Sequence, residues 1–178
     1  MFRNQVQDAH VTTFIGLFTD YLKSDMLVNQ SYAAACIEKL LIKKSNDPNA
    51  GGRTVLNDQN IDQNMLGKLL QNLCELLSEN KDLYAMRALL RVISLSKQNL
   101  VPFAETLGQV LGSFITEVAK DEQSTSPNYA YILFEAAALT LTFVKSNQAA
   151  FTAVEDQLTP ALNTIIEKNN TDYMGYAF

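Results

Sequence analysis

Tryptophan is absent from this 178-residue chain, histidine occurs once and cysteine twice. That scarcity removes most reactive chemistry before any motif is sought. The single histidine, His10, has no second histidine or cysteine nearby, so it offers neither a metal site nor a general base. Serine and aspartate are plentiful, but without a histidine partner they build no hydrolase triad. Cys36 and Cys74 lie inside apolar helical runs, with no C-x-x-C spacing, and read as buried, reduced thiols suited to a reducing compartment. Glycine (7) and proline (4) are scarce, which suits an all-helical chain. Met1-Phe2-Arg3-Asn4-Gln5 lacks the charged-then-apolar pattern of a secretory leader.

Other absences narrow the partners. The net charge of −5 argues against nucleic acid as the main ligand, and against an anionic membrane surface. The most apolar run, 131–144, falls short of the roughly 18–20 residues of a membrane span and carries Glu135. Gly51-Gly52-Arg53-Thr54 lacks the spacing of a phosphate loop and has no strand before it. Asn29-Gln30-Ser31 and Asn169-Asn170-Thr171 match the glycosylation sequon, a triplet that arises often by chance; the first reads as a helix cap.

What is present is helix. Alanine and leucine are abundant, and apolar positions recur at helical spacing. Four times an amphipathic segment is followed by a more apolar one that opens near a tyrosine: Tyr32, Tyr84, Tyr131 and Tyr173. The interval is roughly 40–50 residues, that of HEAT or armadillo-type helix pairs. The expected repeats are 8–43, 61–97, 102–146 and 149–178. In the first, Val11, Phe14, Ile15, Phe18, Tyr21 and Leu22 share a stripe over 8–23, and a second helix covers 29–43. In the second, Ile61, Met65, Leu66, Leu69, Leu70, Leu73, Leu76 and Leu77 share a stripe, and Asp82 is placed to cap the helix over 82–97. Pro102 opens the third pair, which covers 102–120 and 128–146. In the fourth, Pro160 either kinks the first helix or restarts it behind Thr159.

Polar segments separate these helices. The stretch 44–60, with Asp47-Pro48-Asn49-Ala50-Gly51-Gly52, is long for a helix connection and reads as a mobile excursion or a contact surface. The segment 121–127 reads as a second turn-rich loop. The final residues resemble the first turns of an inner helix whose Tyr173, Met174, Tyr176 and Phe178 are exposed, as in a piece of a longer protein, with self-association or disorder expected there. A helix pair cannot bury its apolar face alone, so the fold class expected is all-α, a right-handed α-solenoid of about three and a half HEAT-type antiparallel helix pairs.

One resemblance runs through the whole chain. Phe2-Arg3-Asn4-Gln5 is followed by Tyr32-Ala33-Ala34, Glu38-Lys39-Leu40-Leu41 and Tyr84-Ala85-Met86-Arg87-Ala88-Leu89-Leu90-Arg91. Ser94-Leu95, Pro102-Phe103, Phe134-Glu135-Ala136 and Tyr176-Ala177-Phe178 come after. In that order and spacing the segments resemble the importin-α re-exporters of the importin-β superfamily, and correspond to a central part of a longer solenoid. The departures lie in the loops 44–60 and 121–127, where the resemblance carries no partner contact over. The resemblance implies a carrier that is not an enzyme and needs no cofactor. It implies importin-α and Ran-GTP as partners, nucleoporins as further contacts, and shuttling between nucleus and cytoplasm. Arg87 and Arg91, four apart on an inner helix, are the candidate partner-binding residues. The competing reading pairs them within the molecule, for instance with Glu135. Glu38 and Glu135 are read as structural.

Overall fold

Residues 5–120 and 126–177 are described by a computed structural model. The fold is all-α, built of HEAT-type helix pairs: α1 (Val11–Tyr21), α2 (Leu27–Leu41), α3 (Gln63–Glu79), α4 (Leu83–Ser96), α5 (Ala104–Lys120), α6 (Pro127–Val144), α7 (Gln148–Glu167) and α8 (Thr171–Ala177). These helices form two compact units, Met1–Ser96 and Lys97–Phe178.

In the first unit α1 packs on α2, α3 packs on α4, and the two hairpins stack through α2 against α4 and α1 against α3. The stripe in α3 buries Leu66, Leu69, Leu70, Leu73, Leu76 and Leu77. Asp62 caps the helix by accepting from the Met65 N–H at 2.8 Å. Asn72 interrupts the leucines and is itself buried, because its amide donates to the Thr19 carbonyl at 2.8 Å. A buried amide left without that partner would carry a desolvation cost, so this bond fixes α3 against α1. Lys68 to Asp20 (2.6 Å) and Lys23 to Glu75 (3.1 Å) run beside it. Both pairs are exposed and contribute little to stability.

The start of α2 differs from expectation. The helix begins at Leu27, not at Asn29, so Asn29 is no cap. Ser24 organises this turn instead. Its hydroxyl oxygen accepts from the Met26 N–H (3.3 Å) and from the Asn29 amide (3.2 Å), and its carbonyl accepts from Gln30 (2.8 Å).

The 44–60 segment is a hydrogen-bonded hairpin-like loop. Ser45 N–H donates to Arg53 O, and Val55 N–H donates to Lys43 O, both at 2.9 Å. Gly51 (φ 58°) and Gly52 (φ 77°) turn the chain in the left-handed region, where a Cβ would be strained. Leu56, within the loop, is buried. The anchor is Lys43, only 1% exposed, whose ammonium meets Asp8 Oδ1 at 2.6 Å. Asp8 Oδ2 accepts further bonds from the Ser45 hydroxyl (2.6 Å) and the Asn46 N–H (2.9 Å).

This clasp gives the first unit an acid-sensitive component. The Lys43 hydrogen bond, followed by those from Ser45 and Asn46, lowers the Asp8 pKa from 3.8 to about 2. A depressed carboxylate pKa stabilises the fold above the ordinary value and loses that contribution as pH falls towards the folded one. Asp8→Asn should therefore melt below the wild type at neutral pH, and the gap should close between about pH 4 and about pH 2. Melting temperature against pH for the two proteins reads this directly. A gap that stayed constant through that window would remove the clasp from the stability of the unit.

In the second unit a 3-10 stretch, Lys97–Phe103, buries Leu100 and leads into α5. Pro102 lies inside that stretch, so the regular helix begins two residues later than expected. The tightest approach joins α5 to α7 through Gly108 and Gly112, which face Val154 and Gln157. Asn147 caps α7, accepting from the Ala150 N–H at 3.1 Å. Pro160 does not restart α7, which runs unbroken from Gln148 to Glu167.

The opening of a last inner helix is present as α8. Tyr176 stacks on Phe134 of α6 (centroids 4.7 Å apart, planes at 6°) and meets Tyr131 edge-on, and Tyr173 sits 6.0 Å from Phe134. These rings are thus packed on α6, although Tyr176 stays 45% exposed. Most of the expected 121–127 loop, and Phe178, lie outside the described residues.

A candidate partner-binding face

The face that carries Arg87 and Arg91 is built by α2 and α4. The Ser31 hydroxyl donates to Asp82 Oδ2, joining the starts of the two helices. Asp82 Oδ1 accepts from the Ala85 N–H at 2.8 Å and caps α4 as expected. With their starts joined, α2 and α4 pack against each other.

Helical geometry then sorts α4 into two faces. Ala85, Met86, Ala88, Leu89, Val92 and Ile93 are fully buried. Tyr84, Arg87 and Arg91, spaced i, i+3 and i+7, share the opposite, exposed face. On α2, Tyr32 is 70% exposed and the Lys39 side chain 55% exposed. The helix α4 contains no acidic residue. Glu38, beside Lys39, is buried and lies 3.3 Å from the Lys39 ammonium.

Among the described residues neither guanidinium has an ion-pair or hydrogen-bond partner. Two five-donor forks are thus carried one helical turn apart, on Cβ atoms roughly 6 Å from each other. Such forks match carboxylates in bidentate fashion. The sequence pointed to these arginines but treated the tyrosines as markers of helix starts. The 84, 87, 91 spacing, opposite the Met86–Leu89–Ile93 stripe, was the available signal for the complete face. Glu135, on α6, is exposed.

The remaining candidates carry less chemistry. His10 is exposed and meets Phe14 edge-on at 6.3 Å. Both cysteines are free and partly buried, short of the full burial expected. Burial, with a smaller push from Glu75, raises the Cys74 thiol to about 12, and burial alone raises Cys36. Both thiols therefore stay protonated near neutrality and are poor nucleophiles. A polar groove of about 410 Å³ lies between the α1–α2 turn and α3, lined in part by Asp25, Gln30, Glu75 and Glu79. Gln71 first, and then Lys23, holds the Glu75 pKa below its ordinary value. Among the described residues no cluster of three or more His, Cys, Asp or Glu could hold a metal ion, and no helix is long and apolar enough to cross a membrane.

Comparison with known proteins supplies the family. The profile described as "CAS/CSE protein, C-terminus" matches residues 38–178. Exportin-2 from Bos taurus and exportin-2 from Homo sapiens are each 29% identical over 184 residues, covering 100% of this chain and 18% of theirs. Exportin-2 from Danio rerio is 26% identical over 183 residues, covering 99% of this chain and 18% of its own. The chain thus spans under a fifth of the length of these relatives, and the match runs through both units. It belongs to the CAS/CSE family.

Proposed function

We propose that this chain is part of a nuclear transport receptor that carries importin-α out of the nucleus together with Ran-GTP. The observation that carries the reading is the family match over residues 38–178, joined to helix pairs of HEAT type along the same residues. On this reading the protein shuttles between nucleus and cytoplasm, and its role is to bind, not to catalyse. Importin-α and Ran-GTP bind more tightly together than apart, because both favour one arrangement of the helix pairs. Stacked pairs suit this work, since small rotations between neighbours accumulate along the array.

The test is a titration of importin-α into the full-length polypeptide that carries this chain, at fixed salt, with and without GTP-loaded Ran. The expected result is an affinity gain of about tenfold or more with Ran present, a coupling of about 1.4 kcal/mol. Absence of binding, or binding indifferent to Ran, would return the chain to a helical scaffold with other protein partners.

A further inference from the structure

We propose that the α2–α4 face is a docking site for an acidic protein segment, with Arg87 and Arg91 gripping its carboxylates and Tyr32 and Tyr84 covering its apolar side chains. The proposal deepens the transport reading by naming the chemistry of one contact, and it rests on that reading only in taking the occupant to be protein.

Charge is the first argument. A chain of net charge −5 repels acidic ligands as a whole, yet this face presents two guanidinium groups that have no partner among the described residues, beside a Lys39 ammonium that Glu38 already pairs at 3.3 Å. No exposed carboxylate lies on α4, and the nearby one on α2, Glu38, is buried. The second argument is composition. Exposed tyrosines beside arginines are the residue types that concentrate binding energy at interface centres, and both tyrosines here are at least 48% exposed. The third is rigidity. The Ser31–Asp82 bond and the buried stripe beneath hold both helices, so little ordering cost falls on the arginine backbone when a ligand arrives.

The probe is a fluorescein-labelled peptide of four Glu-Glu-Leu repeats, followed by anisotropy with the whole chain at low salt. Parallel probes replace every Glu by Gln or by Lys, and a single-stranded oligonucleotide of matched charge serves as a fourth. The Glu peptide should bind about tenfold or more tighter than the Gln peptide, and its affinity should fall as salt is added. The double change Arg87→Ala with Arg91→Ala should lose about tenfold. Removing two other exposed cations, Lys44→Ala with Arg53→Ala, should leave binding within about twofold, since neither lies on α2 or α4. Tyr32→Ala with Tyr84→Ala should weaken the Glu peptide several-fold without changing its salt dependence.

Equal binding of the Glu and Gln peptides would overturn the proposal, as would equal losses in the two cation doubles. Tighter binding of the oligonucleotide would replace the acidic segment by a phosphate ligand. The outcome is separable from that of the transport titration. Ran-coupled importin-α binding with no Glu-peptide binding removes this face and leaves the receptor. Glu-peptide binding without Ran coupling does the reverse.

Discussion

Gly112→Ala is expected to destabilise the second unit, although alanine is the better helix former. A Cβ at position 112 would lie 2.6 Å from the Gln157 carbonyl oxygen and 3.3 Å from its carbon. Both are backbone atoms of α7, so no side-chain rotation relieves the contact, and the two helices must separate. Overpacking of this kind costs about 1–3 kcal/mol, against about 1 kcal/mol returned by removing a helical glycine. Gly108 adds to the constraint, since its Cβ would meet Val154 Cα at 3.0 Å. Gly112→Leu should therefore be far worse than Gly112→Ala. The internal control is Gly16→Ala in α1, where a Cβ meets nothing within 4 Å. That change should stabilise by about 0.5–1 kcal/mol. Thermal unfolding followed by circular dichroism separates the cases, at about 2–4 °C per kcal/mol in a chain of this size. Matching gains from Gly112→Ala and Gly16→Ala would mean that α5 and α7 are not in backbone contact.

These glycines show where sequence reading ran out. Alternating amphipathic and apolar helices were legible because burial imposes its period on the residues themselves. Six leucines of α3 mark its buried face without any knowledge of α1 or α4. Gly108 and Gly112 carry no local signal beyond lost helix propensity, because what makes them necessary is the backbone of α7 at Val154 and Gln157, more than 40 residues on. Lys43 has the same lesson in charge. At the end of a helix a lysine reads as a solvated cation, and Asp8, 35 positions away, supplies the charge that makes its burial tolerable, beside a bond to the Lys44 carbonyl. Asn72 among leucines is a third case, satisfied by a carbonyl 53 positions away. Local periodicity reports which face is buried; it does not report which distant polar group completes a bond.

The candidate site divides along the same line. Arg87 and Arg91 could be picked out because charge at i and i+4 on an apolar helix is conspicuous. Whether they were free was not legible, since any neighbouring helix could have supplied a carboxylate. The described residues supply none to either fork. Tyr32 and Tyr84 were read as punctuation at helix starts, and their exposure follows from tertiary packing that turns Ala85, Met86 and Leu89 inward.

Leu89→Ala separates folding from binding on this helix. Leu89 is fully buried within α4, which packs against α2 and α3 in the first unit. Truncation there loses the transfer free energy of the removed carbons and leaves a cavity, about 2–5 kcal/mol in all. That is a large part of the stability of an ordinary domain, so a clear fall in the urea midpoint is expected. Arg87→Ala and Arg91→Ala, on the other side of the same helix, should stay within about 0.5 kcal/mol of the wild type, since neither side chain is buried and neither is paired among the described residues. The contrast carries functional weight. Variants that change binding while keeping the wild-type midpoint act at the surface of contact, whereas a weakened Leu89→Ala protein reports only partial unfolding. If Arg87→Ala fell as far as Leu89→Ala, the arginine would be a structural element of the first unit, and the exposed stripe on α4 would lose its claim as a partner-binding face.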